Sequence, residues 1–362
     1  MNILFITGHP AQVHNFRLLK KGLEQNGHQV FWMATYKDTS KYLLNYFKIN
    51  FTPLKKPKKN TISRIFALLH NSSKCLIFLK KHNIDIILSR VSPYASLAGF
   101  IMNKHHIALA DTESSGIYDK LFTKLVSSFI TAKSYNRSLR NDQIRFDANI
   151  ELFYLHPKRF EPAPKTEIDK LLNIEPEKPY VVMRFVSWDA YHDKGLTGLS
   201  DKNKLIAAQE FSKYARVFIT SEKKIPPELI PYQINIPPEK MHDVLANAKM
   251  FFGESATMAS ESAVLGTQAI YIDHIGRGYT EEEEKFGLVY NFNNSPNNQL
   301  DAIQKGIDLL KDSETKSKTL KLKNIFVSQK IDVTAFFVWY IENYPSSRRV
   351  IKKNPGYQYS FR

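Results

Sequence analysis

The feature that most constrains this chain is a recurring pair: a short, almost wholly apolar run followed by a helical pattern. Residues 2–7, NILFIT, open the series. A strand that is apolar on both faces has to be covered on both faces, which is the mark of a parallel sheet. The polar turn GHPAQVHN follows. Then comes FRLLKKGLEQNG, whose Phe16, Leu18, Leu19 and Leu23 keep helical spacing before Gly27, a residue suited to ending a helix. HQVFWMAT, IDIILS (84–89), HIALAD (106–111) and FITAK (129–133) read as further strands. Strands linked through helices build a parallel sheet with helices on both sides.

From about residue 156 to 178 the character changes, with prolines and charges crowding HPKRFEPAPKTEIDKLLNIEPEKP. A second series then begins: YVVMRF (180–185), ARVFIT (215–220), YQINI (232–236), KMFFG (249–253), QAIYID (268–273) and GLVYNF (287–292). Helical patterns at 298–310 and 331–344 precede a lysine-rich tail that reads as irregular. The expected fold is α/β, with two Rossmann-like doubly wound domains facing a cleft. The expected divisions are an acceptor-side domain at 1–155, a linker at 156–178, a second domain at 179–330, and a C-terminal helix with a basic tail at 331–362. A chain of 362 residues suits two domains.

Composition excludes several classes. The single cysteine, Cys75, rules out an intrachain disulfide framework and a cysteine-based zinc site. No metal site is expected, and adjacent His105 and His106 would point to opposite faces of one strand. The residues after Met1 lack the basic region and length of a signal peptide, and there is no apolar run of about 18 residues. A cytoplasmic protein is expected, with possible attachment to the inner face of the cell membrane. The formal charge of +16 calls for anionic company. Neither zinc-finger spacing nor an RNA-binding aromatic signature accompanies it, so nucleic acid is not expected as the partner.

Ligands of doubly wound sheets gather at the carboxyl ends of the strands. The stretch FFGESATMASESAVLGTQAIYID, residues 251–273, holds the most telling turn. Glu254, Ser255, Ala256 and Thr257 lie between an apolar strand and a helix. The first amides of a helix lack internal partners and carry the positive end of its dipole. Small residues let a phosphate approach those amides, and the hydroxyls of Ser255 and Thr257 add donors. Glu261, about one turn further on, is placed to accept hydrogen bonds from ribose. The set suits a nucleotide diphosphate. Equally, Ser255 reads as a simple cap and Glu261 as a solvated acid.

The first-domain turns are more ambiguous. TGHPAQVHNF is neither a G-x-G-x-x-G turn nor a P-loop, so no dinucleotide or ATP site is expected. Asp111 and Glu113, in ALADTESSG, sit where a carboxylate serves either as a general base or as a helix cap. Arg90 and Ser92 occupy a third turn as substrate contacts. Residues 53–83 combine lysines with Ile62, Ile65, Phe66, Leu68, Leu69, Leu76, Ile77 and Leu79. Such a stretch suits either an anionic membrane surface or a core helix behind a solvated lysine loop.

The segment IPPEKMHDVLANAKMFFGESATMASESAVLGTQAIYID resembles the donor half of GT-B glycosyltransferases and of the related non-hydrolysing UDP-sugar 2-epimerases. Those families carry a proline-led helix with Met and Leu, a strand, a Ser/Gly-rich turn, and a helix with an acidic residue before G-x-P. Here Gln268 replaces that proline. Over most of its length the chain also resembles a bacterial and archaeal family catalogued as a domain of unknown function.

The resemblance implies that Ser255, Ala256 and Thr257 hold the diphosphate and Glu261 the ribose. Main-chain groups up to Ile236 would meet the base, UDP being the commonest. Arg184 is placed to fork onto phosphate, with Ser187, His192 and Lys194 on the same loop. In GT-B enzymes the first loop often carries a histidine at a helix start. His14 matches it here as the base, with His9 competing and Gly8 and Asn15 beside them. The implied activity is sugar transfer from a nucleotide sugar to a glycan or lipid-linked acceptor, without a metal or further cofactor, in cell-surface polysaccharide or glycolipid assembly. The epimerases usually show R-P-E after the first strand and T-x-H-R-x-E-N at the start of the second domain. GHPAQVHN and MRFVSWDAYH depart from both, which argues against epimerase chemistry. A non-catalytic sugar-nucleotide or glycan binder is the remaining alternative.

Overall fold

The computed structural model describes residues 1–35, 38–56, 60–111, 117–187, 198–274 and 276–362. The chain forms two compact units, one of residues 1–154 with 330–362 and one of residues 155–329.

In the first unit the strands are β1 (Asn2–Thr7), β2 (Gln29–Thr35), β3 (Thr52–Leu54), β4 (Ile86–Arg90), β5 (His105–Ala110), β6 (Ser128–Ala132) and β7 (Ile144–Phe146). They pair in the order β3-β2-β1-β4-β5-β6-β7, every pair parallel. Ile3, Leu4 and Phe5 on consecutive positions of β1 are all buried, as a strand covered on both faces requires. On β5, His105 is exposed and His106 buried, as the strand's alternation demands.

The first helix, Pro10–Gln25, starts well before Phe16, where the apolar pattern alone placed it. Its start is set by chemistry that hydropathy does not register: His9 Nδ1 accepts from the Ala11 amide, and Pro10 brings a helical φ to the first turn.

The C-terminal segment is part of this unit. Helix Val333–Glu342 packs on helix Pro10–Gln25. Glu342 meets Asn26 Nδ2 at 2.7 Å and His28 Nε2 at 3.1 Å. The tail is ordered rather than irregular, with helix Ser346–Lys353 and a 3-10 helix over Pro355–Phe361.

In the second unit, β8 (Tyr180–Phe185), β9 (Arg216–Ser221), β10 (Met250–Gly253), β11 (Gln268–Ile272) and β12 (Val289–Phe292) form a parallel sheet ordered β12-β11-β10-β8-β9. Val181, Met183, Phe252 and Ile270 share a core with Phe211, Ala302 and Ile303 from the covering helices. The stretch read as a linker holds helix Lys165–Leu172 and belongs to this unit. Residues 232–236 do not form the expected strand. A 3-10 helix spans Pro227–Tyr232, and only an isolated bridge joins Gln233 to Ile219. Pro231 on one side and Pro237 and Pro238 on the other cannot donate to a ladder, so the pairing cannot extend past the bridge, where the Ile234 amide donates to the Ile219 carbonyl at 3.0 Å. In both sheets the order reverses beside a central strand, β1 and β4 in the first unit and β8 and β10 in the second, so each has a switch point at its carboxyl edge.

Candidate functional site

At the switch point of the second unit the backbones of β8 and β10 come very close. A Cβ on Gly253 would lie 2.2 Å from the Arg184 carbonyl oxygen, so no other residue fits there without displacing the strand. The Glu254 amide donates to that same carbonyl at 3.0 Å. The Glu254 side chain, 4% exposed, accepts from the amides of Val186 (2.9 Å) and Leu199 (2.6 Å). It therefore anchors both flanks of the loop between them. His192 and Lys194 lie in that loop, outside the described residues.

Helix Ala256–Leu265 begins directly after this corner. Ser255 caps it, its Oγ accepting from the Met258 amide at 3.3 Å. Every residue from Met258 to Leu265 is buried, whereas Ser255, Ala256 and Thr257 are partly exposed. The helix thus presents only its amino end, where the first amides have no carbonyl of their own helix to bond. Gly266, at φ +82°, ends it in the left-handed region. Glu261 is buried and not a solvated acid. Its Oε1 lies 3.0 Å from Nε2 of His242, which stands on helix Met241–Asn247 with its ring nearly perpendicular to that of Phe160. Ile236, just before that helix, is buried. Arg184 Nη2 bonds Glu222 at 2.9 Å, and the other Glu222 oxygen accepts from the Ser187 amide at 3.3 Å.

The structure adds a cluster that the sequence reading passed over. At the end of β11, Asp273 accepts from the Tyr271 hydroxyl at 2.5 Å and from the His274 amide at 2.7 Å, and pairs with Arg277 at 3.3 Å. Burial, and after it the Asp273 carboxylate, push the Tyr271 phenol well above its ordinary value, so it stays a hydrogen-bond donor. The signal was present: Tyr271, Asp273, His274 and Arg277 crowd a strand end one place over from β10.

In the first unit, β1, β4 and β5 lie side by side, so their three turns share one edge. Gly8 donates to Gln12 Oε1 at 2.7 Å, and His9 is the helix cap. His14 lies inside the helix, buried, with Tyr154 and Phe47 ring centroids at 5.4 and 5.8 Å. The helix-start argument therefore transfers from His14 to His9. Asn15 is buried, and neither polar atom of its amide has a hydrogen-bond partner among the described residues. Arg90 and Asp111, read separately as a substrate contact and a base, form an ion pair. Ser92 is buried at the start of helix Pro93–Ile101. Glu113 lies outside the described residues. Among the described residues, no group of three or more His, Cys, Asp or Glu is placed to hold a metal ion. Nor, among them, is any helix long and apolar enough to cross a membrane.

No family profile matches the chain, and neither does any curated protein. Solved structures do. A UDP complex of S. aureus MnaA superposes with a TM-score of 0.70 at 12% identity, over 96% of this chain and 97% of that one. A UDP-GlcNAc 2-epimerase from Neisseria meningitidis bound to UDP-GlcNAc gives 0.66 at 13%, over 91% and 99%. The spinosyn rhamnosyltransferase SpnG, complexed with spinosyn aglycone, gives 0.57 at 11%, over 95% and 100%. The fold of this chain is therefore the one shared by UDP-GlcNAc 2-epimerases and GT-B glycosyltransferases, with two Rossmann-like units.

Proposed function

We propose that the second unit binds a nucleotide sugar, most simply a UDP-sugar, and that the protein is a GT-B-type glycosyltransferase. The observation that carries this reading is the helix Ala256–Leu265, buried along its length and open only at Ser255–Thr257, at a sheet's switch point. A diphosphate there meets exposed amides and the positive end of the dipole. Glu261, held by His242, sits one turn behind for the ribose, and Ile236 lies before the base position. Arg184 faces phosphate and Glu254 holds the loop in place. Departure of the diphosphate then needs no cofactor, because amides and Arg184 stabilise the leaving charge.

The acceptor, a glycan or a lipid-linked sugar, is assigned to the edge formed by Gly8, His9, Asn15, Arg90 and Ser92. Asp111, fixed by Arg90 and partly exposed, is the base we favour for its proton, ahead of the enclosed His14; Glu113 is the third candidate. Cell-surface polysaccharide or glycolipid assembly is the process this reading suits.

The higher superposition scores of the 2-epimerases favour a second reading, epimerisation of a UDP-sugar. One experiment addresses both. Melting is followed with UDP, GDP, CMP and TDP, and UDP-GlcNAc alone is incubated with the protein and followed by proton NMR. UDP is expected to raise Tm, and the sugar signals to stay unchanged. No shift with any nucleotide overturns the donor site, and a second anomeric signal replaces transfer by epimerisation.

A further inference from the structure

The helix Thr61–Lys81 in the first unit presents an apolar stripe outward. Its inner face, Ala67, Asn71, Cys75 and Leu79, recurs every fourth residue and is buried. On the outer face Ile62 is 81% exposed, Phe66 55%, Leu69 63% and Ile77 68%, with Ile65 beside them. A helix that served only as a core layer would show polar residues there. Residues 51–83, which contain it, hold seven lysines and one arginine and not one Asp or Glu, although the chain has 35 acids.

Lys55, which precedes the helix, is fixed to it. The Asn71 amide clamps the main chain of Lys55, accepting from its N–H at 2.8 Å and donating to its carbonyl at 2.9 Å. Lys55 Nζ lies 4.4 Å from the Phe66 ring centroid. Pro53, Leu54, Lys55, Lys56 and His70 line a cavity of about 380 Å³ beside the stripe.

We propose that this face docks on an anionic phospholipid surface, the apolar stripe entering the interface and the Lys55–Lys56 cavity taking a lipid phosphate. Charge decides between occupants. A second copy would bring the same acid-free basic segment against this one, at a cost in repulsion. Nucleic acid offers phosphates but nothing for five exposed aliphatic or aromatic side chains to enter. A bilayer of anionic lipid supplies both partners at once. The inference stands apart from the choice between transferase and epimerase.

The test is sedimentation of the full chain with vesicles of phosphatidylcholine alone, and with about a third of it replaced by phosphatidylglycerol. Binding is expected to rise at least about tenfold with the anionic lipid and to fall in high salt. The variant Ile65→Ser/Phe66→Ser/Leu69→Ser should lose it with Tm unchanged, and Phe66→Leu should keep it. Lys55→Ser/Lys56→Ser gives an independent reading that changes no residue of the helix and keeps the Asn71 clamp on the Lys55 main chain, and should weaken anionic binding alone. Equal or absent binding to both vesicles overturns the proposal, as does parental binding by both multiple variants. A dimer in light scattering that the triple variant breaks, without vesicle binding, assigns the face to a second copy instead. Retention on RNA in place of vesicles overturns it likewise.

Discussion

Gly253 has no room for a methyl group, and this single residue shows how the corner of the second unit is built. With the Arg184 carbonyl 2.2 Å from where a Cβ would stand, Gly253→Ala has to push β10 off β8. We expect it to cost about 2–4 kcal/mol in urea melts, through overpacking against backbone that cannot rotate away. Glu261 is constrained differently. Glu261→Ala removes the partner of His242 Nε2 in a buried site and should cost about 1–3 kcal/mol, while Glu261→Gln keeps a partner and most of the stability. If the ribose assignment is right, the Gln variant still loses most of the Tm gain given by UDP. Both acids of this turn were legible in the sequence as acids beside a candidate phosphate site. Their partners were not. Glu254 finds the amides of Val186 and Leu199, and Glu261 finds His242, only after distant segments converge.

At the scale of elements, the helix Ala256–Leu265 was readable because strand, small polar turn, helix and glycine follow in order. The structure adds that its whole length is buried, which leaves the amino end as its only outlet. Ser255→Ala removes the cap, at about 1 kcal/mol, and should also reduce UDP-induced stabilisation. Thr257→Val should reduce that stabilisation with little change in the free protein, and an unchanged UDP response in both variants would tell against the diphosphate cradle.

The helix Thr315–Ser328 carries a feature that no local pattern announces. Lys316 sends its amine inward to the carbonyl of Ala246 at 2.6 Å and to Thr267 Oγ1 at 2.5 Å. Burial lowers its pKa from 10.5 to about 7. Between those values the unfolded chain holds a proton that the native protein has released, so stability should rise with pH across this window. The slope is at most about 1.4 kcal/mol per pH unit. Lys316→Met should flatten it in melts run from pH 7 to 10.

For the whole molecule, the decisive event is the return of the last segment to the first unit. Asp147 gathers Lys330 at 3.0 Å, Lys133 at 3.2 Å and the Tyr359 hydroxyl at 2.8 Å, while its amide donates to Gln358 at 2.7 Å. Burial raises the Asp147 pKa, but Lys330 and the other donors outweigh it and leave the carboxyl below its ordinary 3.8. Its stabilisation is therefore present above that value and is lost as pH falls through the lower native one. Asp147→Asn should melt earlier than the parent at neutral pH, with the gap closing only in strong acid.

By itself the sequence determined the repeat of apolar strands and amphipathic helices, hence two parallel sheets, and it marked the turn at Ser255–Thr257, because these depend on spacing and on side chains that are near neighbours. Tertiary structure alone decided that residues 330–362 complete the first unit, that 232–236, flanked by prolines, stays out of the sheet, and which carboxylates are held by backbone, histidine or lysine. Those outcomes turn on contacts between residues far apart in the chain, and burial changes the chemistry of each group only once such contacts exist.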